Sequence, residues 1–335
     1  MANIVSATET RTYDTVLSAF TGKVMQAMPK EQTKKKNTLL GMVQKTTESA
    51  TGGFMYINVS SLTTKDGEGA FVKAETLTPE DEDDTTRATF RRKLNRVNIT
   101  IFEADRIDNP EDKAYFGLIA HKLKMGRWRM EEIENTQMWA TSAVANGIIG
   151  LPLAANDDGG VSSGAYGGID GAAGSQTFWR NEFDADGYTI STGIENAMDE
   201  MDYKMNDHEG WHFAVTGKPV HRIMRQNMRE YASITDPRVQ SGSKAADLGY
   251  SYLQYDSKDV IYDRSCPATS TTVGQRMYFV NNDCFKYAYV PGYRYRLGPW
   301  KELPKQEGRT ATLLCASQFV VYGRRGLGAI SALDV

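Results

Sequence analysis

The sequence predicts an α+β protein, and three observations carry that prediction. A long hairpin with its charges divided between two limbs occupies the region around residues 54–102. One long helix follows it, over about Asn109 to Thr141. Beyond that helix, shorter helices and strands alternate, and the chain closes on strands alone.

Residues 1–48 form an arm. Val16, Leu17, Phe20, Val24, Met25 and Met28 stand at helical spacing, Pro29 ends the pattern, and a basic run with Lys34, Lys35 and Lys36 follows. A helix this short must lean on something else. Gly52 and Gly53 then open a strand in which Phe54, Tyr56 and Asn58 alternate with Met55, Ile57 and Val59. From Asp66 to Asp84 there are eight acids and one lysine, ending in Glu80, Asp81, Glu82, Asp83 and Asp84. The return limb carries Arg87, Arg91, Arg92, Lys93 and Arg96 with no acid, and Leu94, Val97, Ile99 and Ile101 mark its strand. Unpaired charges at this density cannot be buried, so residues 49–104 read as a projecting hairpin suited to a complementary neighbour. The plainer alternative is a solvated loop.

Asn109-Pro110-Glu111-Asp112 is a helix start, with Asn as cap, Pro at the first position and acids against the positive helix end. Phe116, Ile119, Ala120, Leu123, Met130, Ile133 and Met138 form one apolar stripe. Lys122, Lys124, Arg127, Arg129, Glu131, Glu132 and Glu134 occupy much of the remainder, which predicts one covered face and one exposed face. At about 1.5 Å per residue this is a rod on the order of 50 Å, a spine running through residues 105–155. Seven glycines fall between Asn156 and Gly174, predicting a surface loop. Helices over Ile190–Met205 and Pro219–Ala232 follow, with strands at Trp211–Thr216, Val260–Tyr262, Arg276–Asn281 and Phe285–Val290, all within residues 156–300. Nine tyrosines between residues 250 and 295 suit half-buried sheet surfaces and contact faces. Residues 301–335 hold two last strands around Gly323-Arg-Arg-Gly326.

The bulk numbers bound the function. With 335 residues, 40% hydrophobic and 24% charged, the chain can bury a substantial core as one large or two medium domains. A net charge of −3 does not mark a nucleic-acid-binding protein, though local basic runs could meet phosphates nonspecifically. The bases around Lys34–Lys36 and Arg91–Lys93 lack interleaved aromatics along the chain, which favours a protein partner. Cys266, Cys284 and Cys315 are odd in number and far apart, as free thiols of a reducing compartment are. The N-terminus lacks the basic and apolar regions of a signal peptide, and no apolar run nears the roughly 20 residues of a membrane span. The expectation is a chain that is cytosolic when made and has no membrane partner.

No cofactor or metal is expected. The loudest enzymatic signal is His208-Glu209-Gly210-Trp211-His212, a match to H-E-x-x-H, in which a zinc protease needs both histidines one turn apart on a helix. Gly210 inside the motif and the strand-like Trp-His-Phe-Ala-Val-Thr after it oppose that geometry, and Val215 and Lys218 replace the Gly and third His of the extended pattern. Asp184-Ala-Asp186-Gly187 resembles part of a calcium loop. With Gly187 at the loop's glycine, however, the position of the bidentate glutamate is Gly193, so a turn is the simpler reading. The absence of a catalytic kit points toward a structural, non-enzymatic protein.

In this order, an arm, a charged hairpin, a spine helix, a mixed α/β region and closing strands resemble the tailed-phage major capsid proteins of HK97-like fold. Local phrases carry the same resemblance: Gly150-Leu-Pro-Leu153 after the spine, Phe213-Ala-Val-Thr-Gly-Lys-Pro-Val220, the pair Asp259-Val-Ile-Tyr-Asp263 and Met277-Tyr-Phe-Val-Asn-Asn282, and Ala316-Ser-Gln-Phe-Val-Val-Tyr322 with Gly328-Ala-Ile-Ser331. The resemblance implies a shell of many copies around double-stranded DNA. The hairpin would be the E-loop lying over a neighbour's P-domain, the spine helix would belong to the P-domain, and the tyrosine-rich half would be the A-domain. It also implies a portal protein, a decoration protein and a scaffolding protein as partners. The scaffold is expected to be a separate protein, since no long acidic helical prefix precedes the arm. Covalent lysine–asparagine cross-linking is not expected, because no asparagine follows Asn282. Contact between subunits is expected at Lys34, Lys35, Lys36, Glu80, Asp81, Glu82, Asp83, Asp84, Arg91, Arg92 and Lys93. An encapsulin-like compartment shell and a zinc metallohydrolase at His208 and His212 stay open beside the capsid reading.

Overall fold

The computed structural model describes residues 37–60, 85–107, 112–141, 146–155, 165–171, 174–184, 186–207, 210–235, 253–256, 258–267, 274–304 and 306–334. The expected arm helix, Lys34–Lys36 and the acidic run Glu80–Asp84 lie outside the described residues.

In chain order, α1 (Thr38–Met42) and β1 (Gln44–Thr47) lead into β2 (Phe54–Ser60), β3 (Thr85–Arg91) and β4 (Lys93–Phe102). A short α2 (Glu103–Ile107) precedes the 27-residue α3 (Asp112–Met138), and α4 (Leu151–Ala154) follows. Next come β5 (Ala165–Tyr166), β6 (Ile169–Asp170), a 3-10 segment (Gly174–Trp179), β7 (Glu182–Asp184), β8 (Tyr188–Thr189) and α5 (Ile190–Asn206). After β9 (Phe213–Thr216) and α6 (Lys218–Thr235) the remaining elements are mostly strands. They are β10 (Leu253–Tyr255), β11 (Lys258–Tyr262), β12 (Gln275–Val280), β13 (Phe285–Tyr289), β14 (Arg296–Leu297), β15 (Lys301–Glu302), β16 (Gly308–Val321) and β17 (Leu327–Asp334).

Two sheets organise these elements. In the first, β16 is the hub: β13 and β14 flank it, β1 lies beyond β13, and β15 and β4 also pair with it. Strand β4 runs antiparallel to β16 from Phe102↔Gly308 to Lys93↔Ser317. Because side chains alternate across a strand, Val97, Ile99, Ile101, Leu313 and Cys315 share one face. That face packs on Ile119, Leu123 and Met130 of α3. Gly126 lets the helix come close, since a Cβ there would lie 2.6 Å from Ile99 Cδ1. The second sheet runs β10-β11-β9-β12-β17-β7 with β8 on β17. One face carries α5 and α6 through Ile194, Met198, Met201, Val220 and Met224. The other face joins the first sheet in a shared core, where Trp139 beyond α3 meets Tyr278 with ring centroids 5.6 Å apart.

Three sequence readings change. The hairpin is β2 with β3 alone, Phe54↔Arg91 to Ser60↔Thr85, whereas β4 leaves it and joins β16. Leu94 is out of phase with Val97, Ile99 and Ile101, so it turns outward and is 56% exposed, while Asn95 takes the inner position. Asn95 is satisfied there by a reciprocal amide pair with Gln137 at 3.1 and 3.0 Å. Finally, the polar side of α3 is not uniformly exposed: Glu131, Glu134 and Asn135 are buried, because the helix lies between a sheet and the loops around Tyr295 and Ser265.

The closing strands fall where expected, and the turn between them contributes more than a turn. Arg324 is buried, its Nε donates to the Ala154 carbonyl at 3.1 Å, and its guanidinium lies 5.5 Å from the Tyr166 ring centre. It therefore ties α4 and β5 to the β16–β17 turn. In sequence it reads only as one of two adjacent arginines.

Candidate inter-subunit interface

The β2–β3 ribbon has two chemically different faces. Met55, Ile57, Val59, Ala88 and Phe90 pack inward on the core, as the alternation of both strands requires. The opposite face shows Phe54 at 38% and Tyr56 at 43% exposure. Arg91 stands directly across from Phe54. Arg87 lies 5.4 Å from the Tyr56 ring centre and donates from Nε to Asn58 Oδ1 at 3.4 Å. Aromatics absent from the basic run along the chain are thus supplied across the ladder by the partner strand. Tyrosine, phenylalanine and arginine on one open face are the composition of protein contact surfaces.

Arg92 turns the corner out of the ribbon, its backbone N–H donating to the Gly53 carbonyl at 3.0 Å, with Gly52 and Gly53 both at positive φ. Lys93 opens β4 opposite Ser317. Of the predicted contact residues, Arg91, Arg92 and Lys93 therefore sit together at the junction of ribbon and sheet. Arg91 is exposed, and Arg92 and Lys93 are half-buried. The structure does not place Lys34, Lys35, Lys36, Glu80, Asp81, Glu82, Asp83 or Asp84 relative to them, since these lie outside the described residues.

The metal readings find no support in local geometry. Helix α5 ends at Asn206, Gly210 has φ +69, and His212 lies just before β9, where its Nδ1 accepts from Asn282 N–H at 3.1 Å. His208 and Glu209 lie outside the described residues, and His212 stands just before a strand and not on the helix that an H-E-x-x-H zinc site requires. Asp184, read as part of a calcium loop, closes a turn. It accepts from Asp186 N–H at 2.9 Å and from the Tyr188 hydroxyl at 3.1 Å, and it pairs with Lys204. Among the described residues, no group of three His, Cys, Asp or Glu could hold a metal ion, and no helix is long and apolar enough to cross a membrane.

No family model and no curated protein sequence matches the chain. Solved structures do match it, over most of its length. The capsid of Cyanophage A-1(L) is 13% identical with a TM-score of 0.59, covering 92% of this chain and 96% of that one. The holo-SrpI encapsulin complex from Synechococcus elongatus PCC 7942 is 11% identical with a TM-score of 0.55, covering 92% and 91%. The capsid of a native GTA particle is 11% identical with a TM-score of 0.55, covering 92% and 96%. This chain has the HK97-like capsid fold.

In the order expected of that fold, the β2–β3 ribbon is followed by the long helix α3 and then by the second sheet with α5 and α6. Sequence reasoning singled out the basic corner of that ribbon. It missed the exposed aromatics beside it, because Phe54 and Tyr56 precede Arg87 and Arg91 by some thirty positions. The available signal was the strict alternation of Phe54–Ser60, which puts both aromatics on the side opposite Met55 and Ile57.

Proposed function

We propose that this protein is a major capsid protein that assembles into an icosahedral shell enclosing phage double-stranded DNA, with a structural rather than catalytic role. The observation that carries the reading is the likeness to a phage capsid structure over most of the chain, 92% of this chain against 96% of that one. A chain that matches a shell subunit over most of its length, and carries an exposed ribbon of aromatics and arginines, is suited to repeated contact with copies of itself. On this reading the E-loop and the N-terminal arm make those contacts, through Lys34–Lys36, Glu80–Asp84 and Arg91–Lys93. A separate scaffolding protein, a portal and a decoration protein are the accompanying partners, and the shell is built in the host cytoplasm before it becomes the virion coat.

The encapsulin likeness favours a second reading, a compartment shell holding protein cargo. Electron microscopy of particles purified from cells producing this chain with the genes flanking its own separates the two. Icosahedral particles holding nuclease-resistant DNA are the expected result, and particles filled with a single protein cargo would transfer the reading to the compartment. Monomers alone, at high concentration under all conditions, would overturn both.

A further inference from the structure

The charges of α3 are segregated along the helix. Lys113, Lys122, Lys124, Arg127 and Arg129 precede Met130 with no acid among residues 113–130, and Glu131, Glu132 and Glu134 follow it. A second stretch, residues 284–301, holds Lys286, Arg294, Arg296 and Lys301 and likewise has no acid. It spans β13, the turn after it and β14, and in the fold that turn comes against the flank of α3 at Tyr295 and Arg127. The first two acids beyond Met130 are already engaged, Glu131 by Arg127 at 3.3 Å and Glu132 by Arg264 at 2.6 Å. Arg129 and Arg294 are exposed, and none of the ion pairs among the described residues involves either.

Aromatic rings hold the cations where these two stretches meet. The Arg294 guanidinium lies 5.0 Å from the Tyr289 ring centre and 5.7 Å from that of Tyr295. Arg127 lies 5.4 Å from the same Tyr295 ring, and Lys124, one turn earlier on α3, lies 5.6 Å from the Trp128 ring. A ring attracts a cation through its quadrupole and fixes its position. Unlike a carboxylate, it leaves the net charge uncancelled and the N–H donors free for an anion. Tyr295 holds φ +52, a left-handed backbone that bulky residues avoid and that persists only where the surroundings impose it. Of the two stretches, only Tyr293 is an exposed large apolar side chain among the described residues, so the surface lacks the apolar centre of a stable protein contact. Tyr289, Tyr295 and Trp128 are half-buried, which fits rings that serve the cations rather than unstacked bases.

We infer that this face, with Arg294, Arg127, Lys124 and Arg129 at its centre, binds the phosphate backbone of double-stranded DNA. The inference rests on the shell reading above and deepens it by naming where the subunit meets the DNA it encloses. Uncancelled guanidiniums in fixed positions match phosphate oxygens, and no base edge needs to be read. Such contact is independent of sequence and weakens steeply with salt, because each phosphate neutralised releases counterions. The net charge of −3 conceals this surface, since the acids that balance it lie elsewhere in the chain.

The test titrates the soluble full-length subunit onto a short fluorescein-labelled duplex of arbitrary sequence, read by anisotropy between about 50 and 200 mM salt. Arg129→Gln with Arg294→Gln should weaken binding about tenfold and lower the salt slope by about two. Lys218→Gln with Arg222→Gln, two exposed bases of α6, removes the same charge elsewhere and should leave binding parental. Tyr289→Phe keeps the ring under Arg294 and should bind as the parent does, whereas Tyr289→Leu should bind several-fold more weakly. Circular dichroism should stay parental throughout, and Arg129→Gln alone, expected to cost about threefold, serves if the double variant does not fold. Equal losses in the two charge-matched pairs overturn the inference, as does a parental subunit that does not bind duplex at about 50 mM salt. Parental duplex binding by the Arg129→Gln, Arg294→Gln variant together with lost particle yield also overturns it and assigns the face to a protein contact. In these cases the shell reading stands if the parental chain forms particles. Duplex binding through this face by a parental chain that forms no particles under any condition sustains the surface and is a failure of the shell reading alone.

Discussion

Glu134 carries its carboxyl into the space between α3 and β16, where the Tyr295 hydroxyl donates to Oε2 at 2.9 Å. Burial pushes its pKa up, and the neighbouring Glu131 adds to the rise, while the hydrogen bond from Tyr295 opposes it. The same pocket pushes the Cys315 thiol up to about 12, again mainly by burial, so that group stays protonated. A raised carboxyl means the folded state holds more protons than the unfolded state between the two pKa values. The stability from this group is therefore fully present below the unfolded value of 4.5 and is lost as pH rises through the folded value. Glu134→Gln should remove that slope and leave the subunit at least as stable as the parent at pH 8, as thermal melts across pH would record. Glu134→Ala should cost about 1–3 kcal/mol, because the Tyr295 hydroxyl loses its buried partner. Helical spacing sets Glu134 on the apolar stripe, four residues from both Met130 and Met138, but its charge assigned it to the solvated side.

At the scale of the element, two glycines inside α3 separate propensity from packing. Gly117 has open space around its missing Cβ, so Gly117→Ala should stabilise the dissociated subunit by about 0.5–1 kcal/mol through helix propensity. Gly126 faces Ile99, with Cδ1 2.6 Å and Cγ1 2.9 Å from a Cβ built there. Gly126→Leu should therefore force the helix off β4 and cost about 1–3 kcal/mol by overpacking, as denaturant titration would measure. Equal effects at both positions would contradict this helix-to-sheet contact. The helix itself was readable from its stripe of Ile119, Leu123 and Met130, which all reach the sheet. Which glycine touches the sheet was not, because that depends on how the helix crosses β4.

On the scale of the whole molecule, the charge-divided hairpin resolves into two structures. Its near part is the β2–β3 ribbon, and its basic limb crosses from that ribbon onto the first sheet at Arg91, Arg92 and Lys93. Reversing these three charges together should block particle formation while leaving the subunit folded, since none of them is fully buried. Sedimentation for assembly and circular dichroism for folding check the two halves, and normal particle yield would remove the corner from the docking surface. Local pattern was enough to fix the existence and order of the ribbon, spine helix, helices α5 and α6, and closing strands. Apolar period two or 3.6, glycine breaks and proline starts are properties of neighbours in sequence. Pairing is not such a property. That β4 abandons the hairpin for β16, that Arg296 joins Arg96 across Leu314, and that Phe54 and Tyr56 come to lie beside Arg91 and Arg87 all depend on ladder register. Register is set by which face each strand must bury against the spine helix and the shared core. Chemistry drawn from strands two hundred residues apart becomes one surface only once those burials are satisfied together.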